Sequence, residues 1–236
     1  VNEEDHVRIQ TIMPGGNLRR PWLVARAVEA GLREGMDFAF NPTMGYLTAC
    51  PSNVGTGLRA SVMLHLPGLV LSALIEPVIK GLNSLGYAVR GTFGEGSEGT
   101  ADCYQVSNQS SLGETEADII NQLSRRITEV VNHEQAARRW LVKHERCRLY
   151  DHVGRAYGIL RYARVLTTQE ALNGISALAT GVRTGILRNL PMEALNHLFL
   201  WVQPGHLQGI VGKALTSHER DEWRAHVVRD ALGGSG

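Results

Sequence analysis

Cysteine is scarce. Only Cys50, Cys103 and Cys147 occur in 236 residues, far apart and odd in number. No Cys-x-x-Cys pair exists, so neither a disulfide framework nor a zinc site is expected, and the setting should be reducing and cytoplasmic. Lysine is scarcer than the charge suggests. Lys80, Lys143 and Lys213 are the only three, so 21 of the 24 basic residues are arginine. Genomic base composition accounts for most of that bias, although a few arginines can serve as planar forks for phosphate. No stretch of about eighteen apolar residues is present, which excludes a membrane-spanning helix. The N-terminus lacks the basic, apolar, small-residue succession of a signal peptide. A net charge of +1 argues against a nucleic-acid partner. What is present is 43% hydrophobic residues, enough for one large domain or two small ones with a real core.

The chain divides by pattern. Residues 7–12, VRIQTI, alternate like a strand. Residues 21–34 read as a helix, with Pro21 in its first turn and Trp22, Ala25, Val28 and Leu32 on one face. FAFNPTMGYLTAC reads as two short strands around Asn41-Pro42, and RASVMLHLP as another strand. Residues 68–85 predict a helix interrupted near Pro77. YAVRGTF and DCYQVSN are strands around a glycine-rich loop, and residues 114–145 a long amphipathic helix. These elements predict an α+β fold, an antiparallel sheet flanked by helices. From about residue 150 strand signals vanish. Residues 151–166, 167–182, 191–202 and 217–232 read as helices, with N-terminal caps at Thr167–Glu170 and Ser217–Glu219. Two domains follow: 1–145, of mixed strands and helices, and 146–236, all-helical.

Three segments carry chemistry. The first is Cys50-Pro51-Ser52-Asn53-Val54-Gly55-Thr56-Gly57-Leu58-Arg59; the others are Asn2-Glu3-Glu4-Asp5-His6-Val7-Arg8 and Arg90-Gly91-Thr92-Phe93-Gly94-Glu95-Gly96. Arginines on separate strands can neutralise phosphates without a Walker loop. Two carboxylates can grip a guanidinium, fix its plane and accept its proton. Any one of these residues alone would be an ordinary surface group. In this order and spacing the three segments resemble the signatures of the ATP:guanidino phosphotransferases.

The resemblance implies roles. Arg8, Arg59 and Arg90 would hold ATP phosphates. Ala60, Ser61, Val62 and Met63, with Gly91, Thr92, Phe93, Gly94 and Glu95, would line the nucleotide. Glu4 and Glu95 would orient the acceptor guanidinium, and Cys50 would touch it without attacking it. Creatine kinases carry an aliphatic residue where Glu95 stands, which favours an arginine-type acceptor. Magnesium would travel with ATP, held by phosphates and water, with no metal cage of protein side chains. The family's upstream Ser-x-Arg-x-Arg element has no match in residues 1–236, and the chain opens at Val1 inside a motif, so it reads as a fragment. Gly94–Gly99 also fits G-x-G-x-x-G, but Glu95 and Glu98 would repel a pyrophosphate and a strand follows, so a dinucleotide fold is rejected.

Within the family, small-molecule kinases usually have histidine where Met63 stands, and they stop after the long helix. This chain continues to Arg220-Asp221-Glu222-Trp223-Arg224-Ala225. That segment resembles the R-D-x-x-R-A motif of the bacterial protein-arginine kinases, as do Gln105–Gln109 and Arg155–Gly158. Arg220 and Arg224 stand four apart, on one helix face, where two guanidinium forks could hold a phosphorylated side chain. By resemblance Arg220, Asp221, Arg224 and Ala225 form an allosteric phosphoarginine site. The branch further implies protein substrates with exposed arginines, a zinc-binding activator protein, a Clp protease that degrades marked clients, a role in stress response, and a homodimer. A phosphagen kinase for free arginine and a non-catalytic phosphoarginine-binding module remain the alternatives.

Overall fold

The computed structural model describes residues 5–91 and 100–233. The chain forms two compact units, one of Val1–Leu64, Glu76–Val89 and Gln105–Asn132, the other of His65–Ile75, Arg90–Tyr104 and His133–Gly236.

In the first unit, helix α1 spans Arg19–Arg33. Strands β1 (Phe40–Asn41) and β2 (Gly45–Tyr46) form an antiparallel hairpin. Asn41 makes its turn: Oδ1 accepts from the N–H groups of Thr43 and Met44. Tyr46 ties the hairpin to α1 by donating its hydroxyl to Glu29 Oε1 at 2.7 Å. Burial and the Glu29 carboxylate raise the pKa of that phenol. Strands β3 (Ser61–His65), β4 (Tyr87–Gly91) and β5 (Cys103–Asn108) form a sheet in the order β3-β5-β4.

Helices α2 (Pro67–Leu71) and α3 (Ile75–Ser84) replace the one interrupted helix expected over 68–85. The break comes earlier than Pro77. Ala73 takes a left-handed φ of 57° and ends the first helix, while Pro77 lies inside α3's first turn, where its missing N–H costs nothing. The strand expected at 7–12 does not form. Exposure there alternates residue by residue, but no ladder pairs with it among the described residues. Period-two patterning marks extended chain; it does not supply a partner.

The long helix α4 runs Glu116–His144 and is followed at Arg146–Tyr162 by α5. In the second unit α5 packs with α6 (Thr168–Arg183), α7 (Met192–Trp201), α8 (Pro204–Val211) and α9 (Ser217–Ala231). Leu160, Leu166, Leu172, Leu178, Leu195 and Leu198 are all essentially inaccessible there. Helix α6 is its centre, buried at Ala171, Leu172 and Gly174–Gly181. A Cβ at Gly174 would stand 2.9 Å from Leu160, and one at Gly181 2.6 Å from Val153, so glycine lets α5 approach α6. Helix α8 was not foreseen; Pro204 starts it and left-handed Gly212 closes it. Thr167 caps α6 in a capping box with Glu170, as read from sequence. The cap of α9 is Thr216, not Ser217: its Oγ1 accepts from the Glu219 N–H, and Glu219 reaches back.

Candidate phosphotransfer site

Two of the three signature segments meet inside the first unit. Asp5 is the link: it lies 3.6 Å from Arg8 Nε and accepts from Asn53 Nδ2 at 3.0 Å. The cysteine-glycine segment is then stitched to its surroundings through backbone. Tyr46 N–H donates to Gly55 O at 2.7 Å, and Gly55 also bridges Ser111. A Cβ on Gly55 would lie 2.5 Å from Ser111 O, and one on Gly45 2.2 Å from Gly55 O. Both glycines have positive φ, so no other residue suits this three-way backbone approach.

Cys50 precedes the one-turn 3-10 helix Pro51–Asn53 and is half-buried; its carbonyl accepts from Thr48 Oγ1 and Asn53 N–H. Arg59 is exposed, with Nη2 3.4 Å from Ser107 Oγ. Gln105 Nε2 donates to Ser61 Oγ at 2.9 Å. These bonds put Arg59, two residues before β3, and Ser61 at its start on the same side as Gln105 and Ser107 of β5. Met63, two residues beyond Ser61, is half-exposed on that face, while Val62 is more covered and Ala60 buried. Asn108 clamps the approach to β3: Oδ1 accepts from Ala60 N–H at 2.8 Å and Nδ2 donates to Leu58 O at 3.0 Å. Sequence reading quoted Gln105, Ser107 and Asn108 without giving them work. Their signal was a polar residue at alternate positions of a strand beside a signature segment.

In the second unit Arg90 and Gly91 end β4, both partly covered. Glu4, Thr92, Phe93, Gly94 and Glu95 lie outside the described residues. The same unit holds a part-buried polar chain that sequence reading missed, built from residues far apart in sequence. Arg183 Nη1 donates to His65 Nδ1. His65 Nε2 therefore carries the proton and donates to Ser176 Oγ at 2.8 Å; Ser176 donates to Asp102 Oδ2 at 2.6 Å. Burial, then the Arg183 and Arg138 charges, push the His65 pKa down to about 3, which keeps the ring neutral. Burial raises the Asp102 pKa, against the Ser176 bond. Burial and the Asp102 charge push the Cys103 thiol up to about 11, so Cys103 is a core thiol, not a nucleophile. Nearby, Glu134 is 1% exposed and accepts from the N–H groups of Gly68 and Leu69, with Arg138 Nε at 2.8 Å.

The C-terminal motif differs from expectation. Its two arginines do not lie open together. Arg224 is 1% exposed and points inward: Nε donates to Val202 O at 2.8 Å, and Nη1 to Leu166 O at 2.6 Å and to Asp221. Arg220 is half-buried, with Nη1 on Leu215 O. Asp221 is half-buried and Ala225 buried. Four-residue spacing gives a shared side of the helix, but α9 turns the Arg224 end of it into the core, where backbone carbonyls take the fork.

Among the described residues no group of three or more His, Cys, Asp or Glu is arranged to hold a metal. No helix is long and apolar enough to cross a membrane among the described residues.

A family model of the ATP:guanido phosphotransferase C-terminal catalytic domain matches residues 1–137. The chain belongs to the ATP:guanido phosphotransferase family. A second model, the protein-arginine kinase McsB C-terminal domain, matches residues 146–235. The chain is 48% identical over 234 residues to the protein-arginine kinase of Moorella thermoacetica, covering 99% of this chain and 67% of that protein. It is 43% identical over 232 residues to the protein-arginine kinase of Bacillus subtilis, covering 98% and 64%. Its branch of the family is therefore that of the protein-arginine kinases, and it spans about two thirds of the length of the curated relatives it matches. Among solved structures it is similar to the duplicated taurocyamine kinase from Schistosoma mansoni, at 34% identity over 57% of this chain and 18% of that one, TM-score 0.48.

Proposed function

We propose that the whole protein transfers the γ-phosphoryl group of MgATP to arginine side chains of proteins. In that step the bond between the γ-phosphorus and the β–γ bridging oxygen breaks. A guanidinium nitrogen forms the new N–P bond, a carboxylate takes the proton it loses, and ADP leaves. Arg8, Arg59 and Arg90 offset phosphate charge, and Ala60–Met63 and Gly91–Gly94 line the nucleotide. Glu4 and Glu95 hold the acceptor guanidinium, with Cys50 beside it. A guanidinium is protonated and delocalised at neutral pH, so positioning and proton acceptance are what the protein must supply. Arg220 and Asp221 contact phosphoarginine at the regulatory site, and Arg224 and Ala225 shape it from within. Clp-type degradation of marked clients, a zinc-binding activator and a homodimer belong to the same proposal.

One observation carries the reading: a guanido-phosphotransferase catalytic match and a protein-arginine kinase C-terminal match stand in tandem in one chain. The half-exposed Met63 supports it further, since it stands where small-molecule kinases of the family usually have histidine. The test is acceptor choice. The full-length protein is given MgATP with an arginine-rich protein and, separately, with free L-arginine. Acid-labile phosphate on the protein alone is expected. Equal or better transfer to free arginine would favour a phosphagen kinase. Tight phosphoarginine binding without transfer would favour a binding module.

A further inference from the structure

The turn leading into β5 is strained. Ala101 and Asp102, neither of them glycine, have φ of 57° and 53°. Left-handed backbone at such residues is unfavourable and persists only where neighbours over-determine it. The neighbours here lie mostly on α6. Ala101 N–H donates to Asn173 Oδ1 at 3.0 Å, and Thr100 Oγ1 to Gln169 Oε1 at 3.1 Å. Asp102 accepts from Ser176, and its carbonyl accepts from Leu66 N–H at 2.8 Å. Ser176 in turn holds His65, the last residue of β3, which Arg183 at the end of α6 fixes from the other side.

One helix therefore holds the ends of two adjacent strands. Strand β3 carries Ser61–Met63, and β5 carries Gln105, which donates to Ser61. We infer that α6 is a positioning element for the nucleotide strands, with Asn173 and Ser176 as the residues that set where β5 and β3 stand. This rests on the reading that β3 lines ATP. It adds a part of the machinery that lies in the segment matched to the C-terminal domain and outside the three signature segments.

Asn173 is exposed on its own helix, so Asn173→Ala should fold. In the full-length protein, ADP affinity is measured by calorimetry for wild type, Asn173→Ala, Ser176→Ala and Ser176→Thr. Thr216→Ala serves as a control that destabilises α9 without touching the turn. A lost hydrogen bond of about 1 kcal/mol corresponds to a roughly five-fold weaker Kd. Weakening of that order is expected for Asn173→Ala and more for Ser176→Ala, with recovery in Ser176→Thr and no change in Thr216→Ala. If Asn173→Ala and Ser176→Ala bind ADP as wild type does, whatever their melting temperatures, the inference is overturned. A wild type that binds ADP without phosphorylating any arginine would overturn the proposed activity instead, and leaves the affinity comparison standing.

Discussion

At the scale of single residues, buried polar groups make the sharpest predictions. Gly68 sits against Glu134 and Arg138; a Cβ there would stand 2.9 Å from Glu134 Oε1 and 2.8 Å from Arg138 Cγ. Gly68→Ala should destabilise the fold by roughly 1–3 kcal/mol through overpacking, read by urea denaturation. An unchanged midpoint would mean that α2 shifts freely. His65 supplies a pH test. Its folded pKa of about 3 lies below the ordinary 6.5, so the unfolded chain binds the extra proton between those values. The His65 contribution is full above pH 6.5 and is lost as pH falls toward 3, with a slope of up to about 1.4 kcal/mol per pH unit. The raised pKa values of Asp102 and Glu134 oppose it, because stability from those groups falls as pH rises above their unfolded values. His65→Gln keeps a donor and an acceptor but does not titrate. Its stability should lose less than wild type between pH 6.5 and 4.5; identical curves would contradict the buried neutral imidazole. None of this was legible in sequence. His65, Asp102 and Ser176 are separated by 37 and 74 positions, and no local spacing signals a contact made only by folding. The signature residues were legible because motif and backbone demand coincide, as at Gly55, where three segments of backbone meet.

At the scale of elements, sequence reading did well wherever caps and hydrophobic period agreed. Helices α1, α4, α6, α7 and α9 fall within a few residues of their expected bounds. It failed where tertiary partners decide. Residues 7–12 have the alternation of a strand and no ladder among the described residues. Helix α8 is short, so its single buried residue, Leu207, gives too little period to detect. The α9 cap is a one-residue question with a measurable answer. Thr216→Ala removes the acceptor for the Glu219 N–H and should cost about 1 kcal/mol, whereas Ser217→Ala should change little. Thermal unfolding of the two variants separates them; a larger loss in Ser217→Ala would contradict the cap. Arg224 belongs to the same scale. Its side chain ties the end of α7, the segment before α6 and α9 through carbonyls. Arg224→Ala should therefore leave buried acceptors unpaired and lower stability by several kcal/mol, well beyond an ordinary surface change. Arg220→Ala should be far milder in stability while weakening phosphoarginine binding. Equal melting temperatures for the two would argue that Arg224 is not structural.

At the scale of the whole molecule, one arginine-rich, nearly neutral chain carries a strand pair proposed to line the nucleotide and a helical extension. The central claim is that phosphate ends on a protein arginine nitrogen. The most direct measurement is phosphorus NMR of a full-length reaction with MgATP and an arginine-rich protein, followed by mass spectrometry of the product and repeated with Arg59→Ala. The account predicts an acid-labile N–P signal located on arginine, and a loss of at least about a hundred-fold in rate for Arg59→Ala, in the range of removing one charge-stabilising group from a transition state. Phosphate found only on oxygen, or an Arg59→Ala variant as fast as wild type, would contradict it.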